Sequence, residues 1–177
     1  VDADDLAREV VEPGTPGLQR VVDEFGEEVL GEDGRLDRKK LGDLVFGDEE
    51  ARETLNAIMH PLIGAAGAEH IQAHDDSPSP YILYEAALLV ETGTYKAFPV
   101  LVVVSAEESV QRLRLIARDG FTVAEANARI DSQLPLEHKT AVADFVVTNN
   151  GDLDGTRKQV HAIHDQLAAR FGAAEAG

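Results

Sequence analysis

The sequence predicts an α/β fold in which helices cover both faces of a parallel sheet, giving three layers. Three short, nearly continuous apolar runs carry this prediction: Tyr81–Tyr84, Val100–Val104 and Phe145–Val147. Runs of this kind are typical of strands that are buried on both faces in a parallel sheet. Segments with helical spacing separate the runs, and a last helix is predicted over residues 153–171, so strands and helices alternate along the chain.

Composition narrows the class of protein. The 177 residues, 44% of them hydrophobic, suit one globular domain with room for a small appended subdomain. Cysteine is absent, which excludes disulfides and thiolate metal sites. The formal net charge of -17 argues against nucleic acid as a partner, because phosphate backbones are bound by Lys and Arg. No apolar run is long enough to cross a bilayer. We therefore expect a cytoplasmic protein with neither nucleic acid nor membrane as a partner.

The first helices are predicted from caps and spacing. Asp4 or Asp5 can cap a helix that ends near Val11, where a Pro- and Gly-rich stretch follows. Apolar residues then recur at helical spacing over 18–25. Gly26 is placed to end this second helix.

The next helical stretch is predicted to be broken. A helix over 38–46 precedes one that begins at Asp48. His60 comes directly before Pro61, and a residue in that position is pushed out of helical geometry. We therefore expect an interruption at this pair, and a new helix from Pro61 to about His74.

A locally balanced stretch stands out in the acidic chain. Between Arg112 and Lys139 lie five basic and four acidic residues, against the net charge of -17 for the whole chain. Arg114 and Arg118 are four residues apart, so they share one face of a helix. Guanidinium groups suit phosphate oxygens, and the stretch is a candidate anion site. The alternative is a solvated helix face with no special role.

The order of the motifs points to a family. Along the chain come VDADDLAREVVEPGTPG, FGEEVLGEDGRLDRKKLGDLVFGDEEARETLNAIMHP, EAALLVETG, RLRLIARDG, the spaced Arg129, Gln133 and Lys139, and ADFVVTNNG. This series resembles the dephospho-CoA kinase family from Val1 to about Gly151. The resemblance implies a P-loop kinase fold that transfers the γ-phosphate of ATP to the ribose 3′-hydroxyl of dephospho-CoA, the last step of coenzyme A synthesis. It also implies that ATP and dephospho-CoA are the partners, with Mg²⁺ bridging the phosphates.

The resemblance also implies a division into domains. Residues 1–11, 80–110 and 143–177 would form the α/β core, residues 12–79 a helical domain for the CoA substrate, and residues 111–142 a lid. The sequence lacks the phosphate-binding motif G-x-x-x-x-G-K-[ST]. We therefore expect an N-terminal truncation that removes the first strand and the P-loop, about 30 residues by the size of such a unit. Strand edges would then be exposed, and the chain alone would be inactive.

The resemblance assigns the acceptor side of the reaction to the first residues. Asp4 would be the catalytic carboxylate that orients and deprotonates the ribose hydroxyl. Asp2 is the fallback and could order Mg²⁺ through water. Arg8 would contact a substrate phosphate. The alternatives are a helix cap for each aspartate, and for Arg8 an ion pair with Asp4 or Asp5.

The resemblance assigns charge neutralisation to the lid. Arg114 and Arg118 would bind the nucleotide and stabilise the transferred phosphoryl group, while Arg129 and Lys139 are either part of the lid or a solvated face. The turn after the third strand would lie near the adenine, although a tight turn alone would also explain its composition. Its residues are Asn149, Asn150 and Gly151.

Three further residues are implied to bind substrate: Arg38, His60 and Glu91. His60 could equally mark a helix break, and Glu91 could be a cap. No cluster of side chains with metal-ligand spacing is found, so no resident metal is expected. Two other functions remain open: a non-catalytic CoA-binding or regulatory module without the ATP loop, and a kinase for another small nucleotide.

Overall fold

A computed structural model gives the fold and describes residues 1–172. The chain divides into two compact units, one from Val1 to Ala86 and one that begins at Ala87. The first unit is helical, and the second contains helices and a parallel sheet. The class is therefore α/β, as predicted. The division into core, helical domain and lid stays a prediction.

The first unit is built on four helices: α1 (Ala3–Glu9), α2 (Pro16–Phe25), α3 (Arg38–Val45) and α4 (Glu49–Gln72). Each begins at a side-chain cap, because an oxygen of Asp2, Thr15, Asp37 or Asp48 accepts a hydrogen bond from a backbone N–H of the first turn. Gly26 ends α2 with φ 85°. The predicted limits of α2 and α3 and the start at Asp48 are confirmed. The cap of α1 is Asp2, one of the three aspartates that qualified.

The predicted break at His60-Pro61 is wrong. α4 runs without interruption through Pro61, which lies in its interior. Proline removes one N–H from the helical ladder and crowds the preceding turn, but the cost is local. The 24-residue helix retains its cap at Asp48 and the backbone bonds of the turns on both sides, so one missing bond does not end it.

The core of the first unit forms where α2 and α3 pack against α4. It contains five buried apolar side chains: Val11, Leu18, Val21, Val29 and Leu41. Three of them come from residues whose helical spacing predicted this face of α2 and α3. Half-buried side chains of α4, including Leu55 and Ile58, pack against the cluster.

The prediction of a strand at Tyr81–Tyr84 is wrong. The segment makes a single parallel bridge, between Glu85 and Asp2. Its bonds are Ala3 N–H to Glu85 O and Glu85 N–H to Val1 O, both 2.8 Å. Leu83 is 63% exposed, not buried on both faces. Together with the bond from the Val1 amino group to the Leu83 carbonyl at 2.8 Å, these two bonds form too short a ladder, so the chain is extended here without a full strand.

The second unit holds a two-stranded parallel sheet. The strands are β1 (Val102–Ser105) and β2 (Phe145–Thr148), paired in register from Val102 opposite Phe145 to Ser105 opposite Thr148. Both match predicted strands. The helices are α5 (Glu108–Asp119), α6 (Val123–Asp131), α7 (Leu136–Ala141) and α8 (Leu153–Phe171). α8 packs against β2 and α7 against β1.

The starts of the two strands are tied to one another. Asp144 accepts a hydrogen bond from the Leu101 N–H at 2.7 Å and donates its own N–H to the Leu101 carbonyl at 2.9 Å. This fixes the register, so the carboxyl ends of both strands lie at one edge of the sheet. Of the helices in the described part of the chain, none is long and apolar enough to span a bilayer.

We expect Gly17→Ala to destabilise the first unit. Gly17 lies in the first turn of α2, where an added Cβ would overlap the carbonyl oxygen of Val10 and approach Leu62 Cδ1 at 3.0 Å. Overpacking against backbone costs about 1–3 kcal/mol. Urea unfolding followed by circular dichroism measures the effect.

Gly64→Ala in α4 is the matched control. A Cβ at Gly64 meets no atom within 4 Å, and Ala is the better helix former, so this variant should be as stable as the parent or more so. Equal unfolding midpoints for the two variants would contradict the close approach at Gly17.

Candidate phosphate-binding site

A cleft between α5 and α6 collects the arginines that the sequence analysis singled out. It has a volume of about 820 Å³ and is lined by residues of both helices and of the turn that follows α6. Arg114, Arg118 and Arg129 lie on its walls, together with the amides of Gln111 and Gln133. Three guanidinium groups around one cleft give a concentration of positive charge in a chain whose net charge is -17.

The hairpin of α5 and α6 is shaped by its connection. Gly120 ends α5 with φ 70°, a conformation that favours glycine. Thr122 then caps α6 in a capping box: its Oγ1 accepts from Glu125 N–H, and its own N–H donates to Glu125 Oε2 at 2.8 Å. Gly120 thus begins the turn between the two helices. It brings Arg129 of α6 back beside the arginines of α5.

Each arginine of the cleft has a different neighbour. Arg114 donates through Nη2 to Asn149 Oδ1 at 3.3 Å. Arg118 makes two bonds with the carboxylate of Asp119, at 2.9 and 2.8 Å. The guanidinium of Arg129 lies 5.1 Å from the ring centroid of Phe121. Arg114 bonds to a neutral amide and Arg129 lies over a neutral ring, but Arg129 is also attracted to the Asp119 carboxylate and helps to lower the pKa of that group.

The ion pair of Arg118 changes the titration of both partners. Its two hydrogen bonds hold the pKa of Asp119 below its usual range, and the same contact raises the pKa of Arg118. The pair is exposed to solvent, where ion pairs are weak and are replaced easily. A phosphate that enters the cleft can therefore compete with Asp119 for Arg118.

The turn after β2 joins the cleft to the sheet edge. Asn149 donates its N–H to the Ser105 carbonyl at 2.7 Å, and its Oδ1 also accepts from Thr156. The side chain of Asn150 makes two bonds with Glu107, accepting from its N–H at 2.7 Å and donating to Oε1 at 3.0 Å. The amide side chains thus connect the loops that follow β1 and β2. Gly151 follows them as an exposed residue.

A buried ion pair adjoins the cleft. Lys139 of α7 lies 2.5 Å from Glu91 Oε1, and the side chains are only 14% and 17% exposed. Lys139 also donates to Gln133 Oε1 at 2.7 Å, and Gln133 lines the cleft. Apart from this ion pair, neither carboxylate oxygen of Glu91 has a hydrogen-bond donor in the described part of the chain. The spaced residues Gln133 and Lys139 therefore belong to one network.

The partner of Lys139 was not predictable from spacing. Glu91 is 48 positions away in the chain, and no local pattern relates residues so far apart. The apolar surroundings of EAALLVETG gave the only signal, since a carboxylate that follows an apolar run needs a partner if it is buried.

In the first unit, the predicted acceptor residues lie at the start of α1. The carboxylate of Asp4 is exposed and has no hydrogen-bond or ion-pair partner among residues 1–172. Asp2 Oδ1 is occupied by the Asp4 N–H at 2.8 Å. Arg8 pairs with Asp5 at 2.6 Å, so the ion-pair alternative describes it. The backbone bridge places Glu85 beside Asp2.

The remaining predicted residues of the first unit lie apart from these. Arg38 is the first residue of α3 and is exposed, and His60 is an exposed residue inside α4. The substrate-binding roles of both stay predictions. Among residues 1–172, no group of three or more His, Asp or Glu side chains is arranged to hold a metal ion.

Comparison with known proteins gives one consistent family. The profile of the family described as dephospho-CoA kinase matches residues 1–155. A dephospho-CoA kinase of Syntrophotalea carbinolica is 44% identical over 94% of this chain and 79% of the relative. One of Anaeromyxobacter dehalogenans is 49% identical over 85% of this chain and 72% of the relative.

Solved structures agree with the sequence comparison. A dephospho-CoA kinase from Campylobacter jejuni superposes with a TM-score of 0.69 and 27% identity, over 96% of this chain and 85% of that one. A crystal structure of a Thermus thermophilus protein superposes with a TM-score of 0.76 and 30% identity, over 94% of this chain and 83% of that one. The arrangement of helices and strands is thus shared with solved proteins.

We expect the carboxyl group of Asp119 to titrate below its usual pKa, and to return to the usual range in Arg118→Gln. The depressed pKa means that the ion pair is complete above the ordinary carboxyl range and is lost as the pH falls through the folded-state value. Carbon-detected NMR titration of the side-chain carboxyls measures both proteins.

Glu125 is the internal control of this titration. Its pKa is lowered by hydrogen bonds from the backbone N–H and the hydroxyl of Thr122, which the substitution does not touch. Glu125 should therefore titrate identically in both proteins. An unchanged Asp119 in the variant would mean that the bidentate pair is absent in solution.

We expect Lys139→Met to destabilise the second unit by about 2 kcal/mol, because it leaves the largely buried carboxylate of Glu91 without a counter-charge. Chemical unfolding of the variant measures the loss. Lys158→Met, the same substitution at an exposed position of α8, is the matched control and should change stability little. Equal effects of the two substitutions would argue that the buried pair contributes nothing.

Proposed function

Since the chain belongs to the dephospho-CoA kinase family, we propose that it serves the ATP-dependent phosphorylation of dephospho-CoA at the ribose 3′-hydroxyl, the last step of coenzyme A synthesis. The observation that carries the proposal is the cleft lined by Arg114, Arg118 and Arg129 in a strongly acidic chain. Phosphoryl transfer depends mainly on positioning and on neutralising charge, and a cleft of arginines supplies the second.

In the proposed reaction the ribose 3′-oxygen attacks the γ-phosphorus of ATP. The bond from that phosphorus to the bridging oxygen breaks, and ADP leaves with the electron pair. The hydroxyl proton passes to Asp4, whose exposed and unpartnered carboxylate supports the role of acceptor. Asp2 already caps α1 through Oδ1. Its other oxygen can order water around Mg²⁺, which arrives as part of the ATP complex.

The arginines of the cleft neutralise the phosphates. Arg114 is bonded to a neutral amide and so keeps its charge for an anion, whereas Arg129 is shared between the Phe121 ring and the Asp119 carboxylate, with which an anion would compete. Arg118 exchanges its exposed pair with Asp119 for a phosphate oxygen. Asn149, Asn150 and Gly151 are proposed to meet the adenine through backbone groups, since the Asn side chains are taken up by Arg114, Thr156 and Glu107.

The substrate side of the proposal has unequal support. Arg38 is exposed and is available to a phosphate of dephospho-CoA, and His60 is exposed on α4. Arg8 is held by Asp5 and must exchange that partner to reach a phosphate. Glu91 is paired with Lys139 and both of its carboxylate oxygens are buried, so its proposed contact with substrate requires that this pair opens.

The proposed reaction also needs a loop that binds the β- and γ-phosphates of ATP, and no residues of this sequence match such a loop. The motif G-x-x-x-x-G-K-[ST] is absent from the 177 residues. We propose that the 177 residues alone bind dephospho-CoA but do not turn over, because no Gly-rich loop holds the β- and γ-phosphates. A cytoplasmic place of action is part of this proposal.

We expect a protein extended at its N-terminus by the natural upstream reading frame to phosphorylate dephospho-CoA, provided that frame encodes a loop ending in Gly-Lys-Ser or Gly-Lys-Thr. Asp4→Asn in that protein should lower kcat by about 10²–10⁴-fold, because the acceptor loses its base. KM for dephospho-CoA should change much less. A coupled assay of ADP release gives both constants.

Asp5→Asn is the matched control, since Asp5 lies next in the chain and pairs with Arg8. It should keep kcat within a few-fold, by analogy with other exposed pairs. Equal losses in the two variants would remove Asp4 from the mechanism. An ATP-dependent burst of coenzyme A from the 177 residues alone would overturn the proposed inactivity of the isolated chain.

The CoA-binding module remains the second candidate, because the sequence retains the substrate motifs without the ATP loop. Calorimetry of the extended protein with dephospho-CoA and with ATP separates the candidates: the module binds the first and not the second. A kinase for another nucleotide would instead be revealed by exchanging the acceptor in the same assay.

A further inference from the structure

We propose that Arg112 and Asn127 are positioning residues whose hydrogen bond locks the rotation of α6 against α5, and so holds Arg129 in the cleft beside Arg114 and Arg118. The bond runs from Arg112 Nε to Asn127 Oδ1 and is 2.6 Å long. The inference rests on the proposed function of the cleft as a phosphate site.

Arg112 differs from the other arginines of the hairpin. It is half-buried, whereas the three arginines of the cleft are exposed, and neither it nor Asn127 lines the cleft. No carboxylate of residues 1–172 forms an ion pair with it. A half-buried guanidinium that binds a neutral amide keeps its charge, so its bond to Asn127 is charge-assisted and stronger than an ordinary one.

Geometry explains how this bond reaches the cleft. Asn127 and Arg129 are two residues apart on α6, so they project about 200° apart around the helix axis. A rotation of α6 that breaks the bond at Asn127 therefore moves Arg129 as well. Ala126, on the same helix, is fully buried. A methyl group resists such a rotation poorly, because apolar contact has no direction.

The rest of the hairpin does not supply this restraint. The capping box of Thr122 and Glu125 fixes the first turn of α6 with bonds that stay within that turn. The contact between Arg129 and Phe121 pairs the arginine with the chain just before α6. Arg129 is also attracted to Asp119, the last residue of α5, but this is a charge interaction without a hydrogen bond that would fix its direction. The Arg112–Asn127 bond is thus the directional link between the two helices that spans 15 positions of the chain.

The test uses the 177-residue chain and inorganic tripolyphosphate as the probe, with affinity measured by titration calorimetry at low salt. Asn127→Ala leaves the charge unchanged and should weaken binding about tenfold, because Arg129 loses its position. Arg112→Lys keeps the charge and a donor and should retain most of the affinity. Arg112→Met should weaken binding, and the double variant Arg112→Met with Asn127→Ala should be no weaker than Arg112→Met alone.

A second background separates positioning from general destabilisation. In Arg129→Gln, which itself weakens binding, adding Asn127→Ala should have no further effect, because the arginine that the bond positions is gone. A tenfold loss that persists in this background would overturn the inference, as would wild-type affinity in Asn127→Ala. Failure of the proposed function looks different: the parent would then not bind tripolyphosphate, or would bind it unchanged in Arg114→Gln, and the inference would fall with it.

Discussion

The parallel pairing of β1 with β2 is the constraint on which the second unit depends. Because Asp144 ties the starts of the strands, their carboxyl ends reach one edge, and the loops after Ser105 and Thr148 lie side by side. The amides of Asn149 and Asn150 then join those loops. α5 begins from this edge, and Arg114 is held to it through Asn149. The position of Arg114 in the cleft therefore depends on the pairing of β1 with β2, and it is fixed by the register of the two strands.

The three arginines around the cleft repel one another. Their neighbours in the structure reduce this repulsion without removing all of the positive charge of the cleft. Arg118 has a carboxylate partner, and it is exposed, so the pair is exchangeable. Arg114 binds an amide oxygen, and Arg129 lies over an aromatic ring, contacts that orient a guanidinium and leave its charge in place. Such a site attracts an anion even though the whole chain is acidic, because screening confines the effect of distant carboxylates to about a Debye length of 8–10 Å.

The parts of the fold that the sequence predicted are those decided by local chemistry. The cap at Asp48 and the helix stop at Gly26 each act within one turn, so the local sequence pattern contains the whole cause. The prediction of a break at Pro61 was wrong because the proline costs only one helical hydrogen bond and some local crowding. The helical hydrogen bonds on both sides of it outweigh that cost. The prediction of a strand at Tyr81–Tyr84 was wrong for a different reason. An apolar run shows that residues favour a strand, but it does not show whether a neighbouring strand is present to pair with them. The arginines were predicted as a group from charge and spacing, whereas the Glu91–Lys139 pair depends on tertiary structure alone.

The buried pair and the cleft are connected, and this connection has an energetic consequence. Lys139 divides its donors between Glu91 and Gln133, and Gln133 is a wall of the cleft. An anion in the cleft would attract the Lys139 ammonium and so compete with Glu91 for it. Because Glu91 Oε2 lacks a donor, the carboxylate is not fully satisfied by the protein, and its grip on Lys139 is the interaction that offsets its burial. Charge in the cleft and stability of the segment around Glu91 are therefore coupled through one lysine, and neither can change without affecting the other.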